Sequence, residues 1–115
     1  MSVNYINVAE KFQEHFLELA KKTENIQPFF TEKVKAKIFD EEVEGVQNVL
    51  KKYEPLLPFN TTKHPLQAQP IQDGLVLTTV IEANSKKLLA TFQLKEVDSK
   101  THQYGITGNI LANYE

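Results

Sequence analysis

The second half of the chain holds three strand-like segments, and none of them has a face suited to water. Leu75–Glu82 (LVLTTVIE), Leu88–Val97 (LLATFQLKEV) and Gln103–Leu111 (QYGITGNIL) are rich in β-branched and apolar residues and are separated by turn residues. In the first, one parity is Leu75, Leu77, Thr79 and Ile81, and the other is Val76, Thr78, Val80 and Glu82. In the second, Leu88, Ala90, Phe92 and Leu94 alternate with Leu89, Thr91, Gln93 and Lys95. The last alternates Tyr104, Ile106, Gly108 and Ile110 with Gly105, Thr107, Asn109 and Leu111. An antiparallel sheet with one wet side shows a clean polar parity. Here charge falls only towards strand ends, so both faces of the sheet need cover.

The first half supplies cover for one face. From Asn4 to Lys22, Tyr5, Val8, Ala9, Phe12, Phe16, Leu19 and Ala20 recur at helical spacing, which predicts an amphipathic helix capped by Asn4 or Asn7. Asn25–Thr31 suits a short helical turn, with Pro28 near its start. Lys33–Phe39 alternates as a strand, Asp40-Glu41-Glu42 reads as a turn, and Val43-Glu44 as a brief return strand. Gly45 opens a second helix whose Val46, Val49, Leu50 and Tyr53 share a face, and Pro55 and Pro58 end it. Leu66–Ile71, bounded by Pro65 and Pro70, is confined to an edge. Asp73-Gly74, Asn84-Ser85 and Asp98–Thr101 are the turns of the following meander. The order predicts one α+β domain over residues 1–115, whose two helices cover one face of the sheet and leave the other for a partner.

Composition narrows the function. There is no cysteine, which excludes disulfides and thiolate metal sites. All 13 basic residues are lysines and the net charge is −2. Without arginine, direct sequence-specific nucleic-acid reading is disfavoured. No apolar run reaches membrane-spanning length and the N-terminus has no signal-like segment, so the expectation is a protein of the nucleus or cytoplasm. His15, His64 and His102 lack ligand spacing, so no metal or cofactor is expected. No acid falls in the middle of a long strand, and His15 reads as a boundary residue beside the helix stripe; catalysis is not expected. Lys21-Lys22, Lys51-Lys52 and Lys86-Lys87 read as solvated helix ends and a turn, Asp40–Glu44 as a solvated hairpin tip, and Phe29 and Phe30 as core.

Element order and several short segments together resemble the nuclear transport factor 2-like family. These are Phe12 and Phe16, Gly45, Leu57-Pro58-Phe59, Ala68-Gln69-Pro70, Phe92-Gln93-Leu94-Lys95 and Ile106-Thr107-Gly108-Asn109-Ile110. The resemblance spans essentially the whole chain. It implies a cone-shaped domain in which a curved antiparallel sheet wraps a long N-terminal helix. Two transport roles follow from it. One is the small subunit of the heterodimeric bulk mRNA export receptor, which pairs with a related domain of the large subunit and supports binding of phenylalanine-glycine nucleoporins. The other is the homodimeric carrier of GDP-bound Ran. The carrier's acidic loop is replaced here by Asn84-Ser85-Lys86-Lys87, which favours the export subunit. A small cone-cavity dehydratase or isomerase is the enzymatic alternative. The family register places Val76, Thr78, Val80, Thr91, Gln93, Ile106, Gly108 and Ile110 on the partner face, and Phe92, Leu94 and Leu111 inside.

Overall fold

A computed structural model describes residues 5–62, 66–98 and 103–114. Helix α1 (Tyr5–Leu19) carries the predicted apolar stripe, with Ala9 and Phe16 buried, and it also buries Leu17, which the stripe did not include. A short helix α2 (Thr23–Ile26) continues into a 3-10 turn at Gln27–Phe29, where Pro28 is tolerated because it sits in the first turn. Strand β1 (Phe30–Ile38) then turns into β2 (Glu41–Glu44). The turn falls at Phe39-Asp40, with φ of 51° and 71°, not at Asp40-Glu41-Glu42. Two left-handed residues in succession form the tight hairpin that matches strand twist, so the return strand begins earlier than its charges suggest. Left-handed backbone in a bulky residue such as Phe39 costs roughly 1–2 kcal/mol.

Helix α3 (Val46–Tyr53) starts after Gly45, whose φ of 91° disfavours any side chain there. Asn48 Nδ2 donates to the Glu44 carbonyl at 2.9 Å and helps fasten this start. The helix tightens into a 3-10 turn at Glu54–Leu56, since Pro55 cannot continue it. Strands β3 (Phe59–Thr61), β4 (Gln67–Ile71), β5 (Gly74–Ala83), β6 (Lys86–Asp98) and β7 (Gln103–Asn113) complete the chain. The helix cap at Asn4, most of the Asp98–Thr101 turn, His64 and His102 lie outside the described residues.

The strands form a seven-stranded sheet in the order β2-β1-β7-β6-β5-β3, with β4 also on β5. All pairings are antiparallel except β1 with β7, which run parallel. Strands β3 and β4 share one edge of β5: β3 pairs with Ile81–Ala83 and β4 with Gly74–Thr78. At Gly74 a Cβ would sit 1.9 Å from the Leu94 carbonyl oxygen, so the close approach of β5 to β6 there admits only glycine.

The core lies between the helices and one face of this sheet. Leu75, Leu77 and Ile81 of β5, Leu88, Phe92 and Leu94 of β6, and Val34 and Ile38 of β1 pack there against α1 and α3. Burying each large side chain contributes about 1.5–3 kcal/mol. Aromatic rings link the elements. Phe16 stacks on Phe12 at 5.4 Å and meets Phe92 edge-on at 5.3 Å, and Tyr53 bridges Phe30 and Phe59 at 5.6 and 5.3 Å. Phe30 is core as expected, while Phe29 is half-buried against it.

Candidate protein-binding face

The other face of the sheet carries no helix. Registered pairing runs Val76–Gln93–Gly108–Lys35 across four strands, and Thr78–Thr91–Ile110–Lys37 beside it. A third row is Val80–Leu89–Ala112. Ile110 is 49 % exposed and Leu89 37 %, although both sit on a central strand pair. Val76, Thr78, Thr91, Gln93 and Gly108 are half-buried, and Val80 is buried yet stands apart from the main core. Thr78 and Thr91 bond hydroxyl to hydroxyl at 3.3 Å, so this face meets some of its own polar demand. Seven of the eight expected positions therefore share one face.

Ile106 does not. It is fully buried and belongs to the core cluster. Strand β7 has a bulge: Gln93 pairs with Gly108, but the next residue, Leu94, pairs with Ile106. Thr107 is the extra residue, and its hydroxyl donates to the Gln93 carbonyl at 3.3 Å. An inserted residue reverses the parity of everything before it. Ile106 thus turns inward with Leu94 while Ile110 stays outward. Leu111, Phe92 and Leu94 lie inside as expected.

Across this face runs a groove of about 910 Å³, with Gly108 and Gln93 among its lining and Lys35, Lys37, Glu42 and Glu44 on one flank. Lys35 registers opposite Glu44, and Lys37 opposite Glu42. Among the described residues, none of these four closes an ion pair within the chain; the pair formed on the opposite side is Lys52 with Glu41. Gly108 leaves the groove floor low, since a Cβ there would meet Gln93 at an ordinary 3.4 Å. The flanking lysines and Leu89 were not singled out from sequence. The lysines' place depends on the parallel β1–β7 pairing, which alternation within one strand does not reveal, whereas Leu89 shares the parity of Thr91 and Gln93 on β6.

The interior is chemically quiet. Tyr53 donates its hydroxyl to Asn109 Oδ1, and Asn109 Nδ2 donates to the Thr91 carbonyl at 2.9 Å. Burial pushes the Tyr53 phenol far above its usual value, so the group stays neutral and acts as a fixed donor. The buried polar side chains besides it are Thr79 and Asn109, so among the described residues no carboxylate or imidazole is buried. His15 is exposed on α1, its ring 5.7 Å from that of Phe29. No group of three or more potential metal ligands occurs among the described residues.

No family model matches the chain, and no curated protein does. Solved structures do. Nuclear transport factor 2 from Cryptosporidium parvum superposes with a TM-score of 0.75 at 12 % identity, covering 98 % of this chain and 100 % of that one. A nuclear transport factor 2-like protein from Cytophaga hutchinsonii gives 0.76 at 12 % identity, over 97 % of this chain and 100 % of that one. A structure described as a ketosteroid isomerase homologue, from Parabacteroides distasonis, gives 0.71 at 15 % identity, over 97 % and 89 %. The likeness runs end to end while the residues have diverged, so it speaks for architecture alone: the chain has the nuclear transport factor 2-like fold.

Proposed function

We propose that the chain is a binding module, without chemistry of its own, that covers its outer sheet face with the sheet of a second protein domain. The carrying observation is Ile110, 49 % exposed at the middle of a face that also presents Leu89 and Val76. Apolar residues gathered on one side of a central strand pair gain most from a partner that removes them from water. Two sheets packed face to face stand about 10 Å apart, and the small Gly108 and Thr91 permit that approach. The lack of a carboxylate or imidazole among the described interior residues supports a binding role over catalysis.

Within that role, the small subunit of an mRNA export receptor fits best. Its partner would be the related domain of the large subunit, the pair would bind phenylalanine-glycine nucleoporins, and the chain would shuttle between nucleus and cytoplasm. Support comes from the β5–β6 turn, where exposed Lys86 and Lys87 offer a Ran-type partner the opposite sign to an acidic loop. One observation favours the homodimeric carrier of GDP-bound Ran as a second reading. The groove holds three lysines and two glutamates with no ion pair among them, a set of both signs that a second copy could satisfy reciprocally.

Light scattering separates these readings. The expected result is a one-to-one complex with the large-subunit domain, lost in Ile110→Glu while the variant's thermal melt is unchanged. A homodimer that ignores that domain and binds GDP-bound Ran would replace the export reading with the carrier reading. Association that survives Ile110→Glu in every mixture would remove the sheet face from the proposal.

A further inference from the structure

Glycine weakens a strand, because it fixes the most mobile backbone and packs no side chain, so a strand glycine needs a reason. Gly74 has one in the Leu94 carbonyl, and at Gly105 a Cβ would press on the Thr31 methyl at 2.9 Å. Gly108 has none within the chain. Beyond its chain neighbours, a Cβ there meets nothing closer than 3.4 Å, and its φ lies outside the left-handed region. The bulge at Thr107 does not require it either, since bulges that demand glycine hold it in left-handed backbone. A strand glycine that its own fold does not need marks a place where a group from outside approaches closely.

The surroundings of Gly108 indicate which group. It is half-buried on the open face, in the row Val76–Gln93–Gly108–Lys35, and Ile110 borders it two residues along the same strand. Lys35 stands beside this floor, with Glu44 one strand farther out. With Lys37, Lys95 and Glu42, the groove lining holds three lysines and two glutamates, so its charges nearly cancel and favour no free ion. A low apolar floor with an ammonium group at its border suits the negative face of an aromatic ring. Gln93 adds a polar handle. Its side-chain oxygen lies 3.5 Å from where a Gly108 Cβ would stand, and it has no hydrogen bond among the described residues. An indole N–H or a phenol O–H would find its acceptor there. Resting on the open-face reading above, we propose that the partner domain seats a tryptophan or tyrosine ring on Gly108, packed against the Lys35 side chain and donating to Gln93 Oε1. None of the residues in the three registered rows of this face is aromatic, so a second copy of the chain offers no such ring and the seat selects a different domain. Gly108 is then the specificity-determining residue, since a side chain on it removes the depth that the ring enters.

The test is an NMR titration of the full chain with N-acetyl-tryptophanamide, a neutral carrier of the indole ring, against N-acetyl-leucinamide. The ring probe should shift the Gly108 Hα resonances upfield, saturably, and move the Gln93 side-chain amide. The leucine probe should bind at least about tenfold more weakly. Gly108→Val should abolish the shift at Gln93. Gly108→Ala should weaken the ring probe and raise the melting temperature of the isolated chain, because the fold itself does not need this glycine. The proposal is overturned if no saturable shift occurs up to the solubility of the ring probe, or if the leucine probe binds equally well. It is also overturned if binding survives Gly108→Val, or if Gly108→Ala melts lower than wild type. Shifts at Gly108 that grow with protein concentration alone would put a second copy in the seat and overturn it as well. The open-face reading is judged separately, by light scattering with the large-subunit domain. If Ile110→Glu disrupts that complex and Gly108→Val does not, the face stands and the ring seat falls.

Discussion

Ile106 and Ile110 lie on the same strand, yet the first is fully buried and the second is 49 % exposed. One inserted residue, Thr107, separates their environments. Before the bulge, β7 turns Ile106 towards the core beside Leu94; after it, the strand turns Ile110 towards the open face beside Thr91. The same residue type therefore holds the domain together at one position and stands half-exposed on the open face at the other. Chemical identity says little about a strand residue's role until the pairing partner is known.

The two faces can be set against each other by substitution. The largest loss is expected from Ile106→Glu, which places a charge in the core without a partner and should cost at least about 4 kcal/mol, seen as an unfolded circular dichroism spectrum. A folded Ile106→Glu protein with a weakened complex would return this position to the interface. Next, Tyr53→Phe removes the donor to Asn109 on the inner face and should cost about 1–3 kcal/mol in urea unfolding. It should also flatten the alkaline limb of stability. A phenol raised in the folded state contributes stability that is complete below its ordinary value of 10.0 and is lost progressively as pH rises above it. Wild type should therefore lose stability above about pH 10 more steeply than Tyr53→Phe. The smallest effect on the fold belongs to Ile110→Glu, within about 0.5 kcal/mol in the isolated chain. Its consequence should appear in the complex, as at least about a tenfold loss of affinity by calorimetry.

Much of the architecture is legible in the residues themselves. Helical spacing marks α1 and α3, and alternation marks β5, β6 and β7, because burial on a periodic scaffold leaves a periodic trace. The open face is legible too, since Val76, Thr78, Thr91 and Gln93 are too poor in charge as a set for an ordinary solvated side. What escapes is whatever depends on pairing between strands. The Thr107 bulge changes no residue type, so alternation groups Ile106 with Ile110, and the family register carries both to the partner face. The parallel β1–β7 ladder joins segments far apart in sequence, and it alone brings Lys35 and Lys37 alongside Gly108 and Ile110. Strand β3 is a three-residue ladder, Phe59–Thr61, too short to show a period. The hairpin at Phe39-Asp40 hides for a different reason: a phenylalanine in a left-handed turn opposes local preference.

The two borders of the sheet carry a further consequence. Along one lies β2, whose Glu41, Glu42 and Glu44 are all exposed; along the other, β3 and β4 divide a single neighbour between them, and β4 contains Pro70. An incoming strand would meet a row of carboxylates on one side and a short, proline-broken ladder on the other. Growth by adding strand after strand, the route to fibres, is therefore blocked at both ends. A chain that exposes apolar side chains on a sheet face stays dispersed at high concentration only if its borders refuse company. Here they do, and the open face keeps its exposed Ile110 and Leu89 without offering a strand edge beside them.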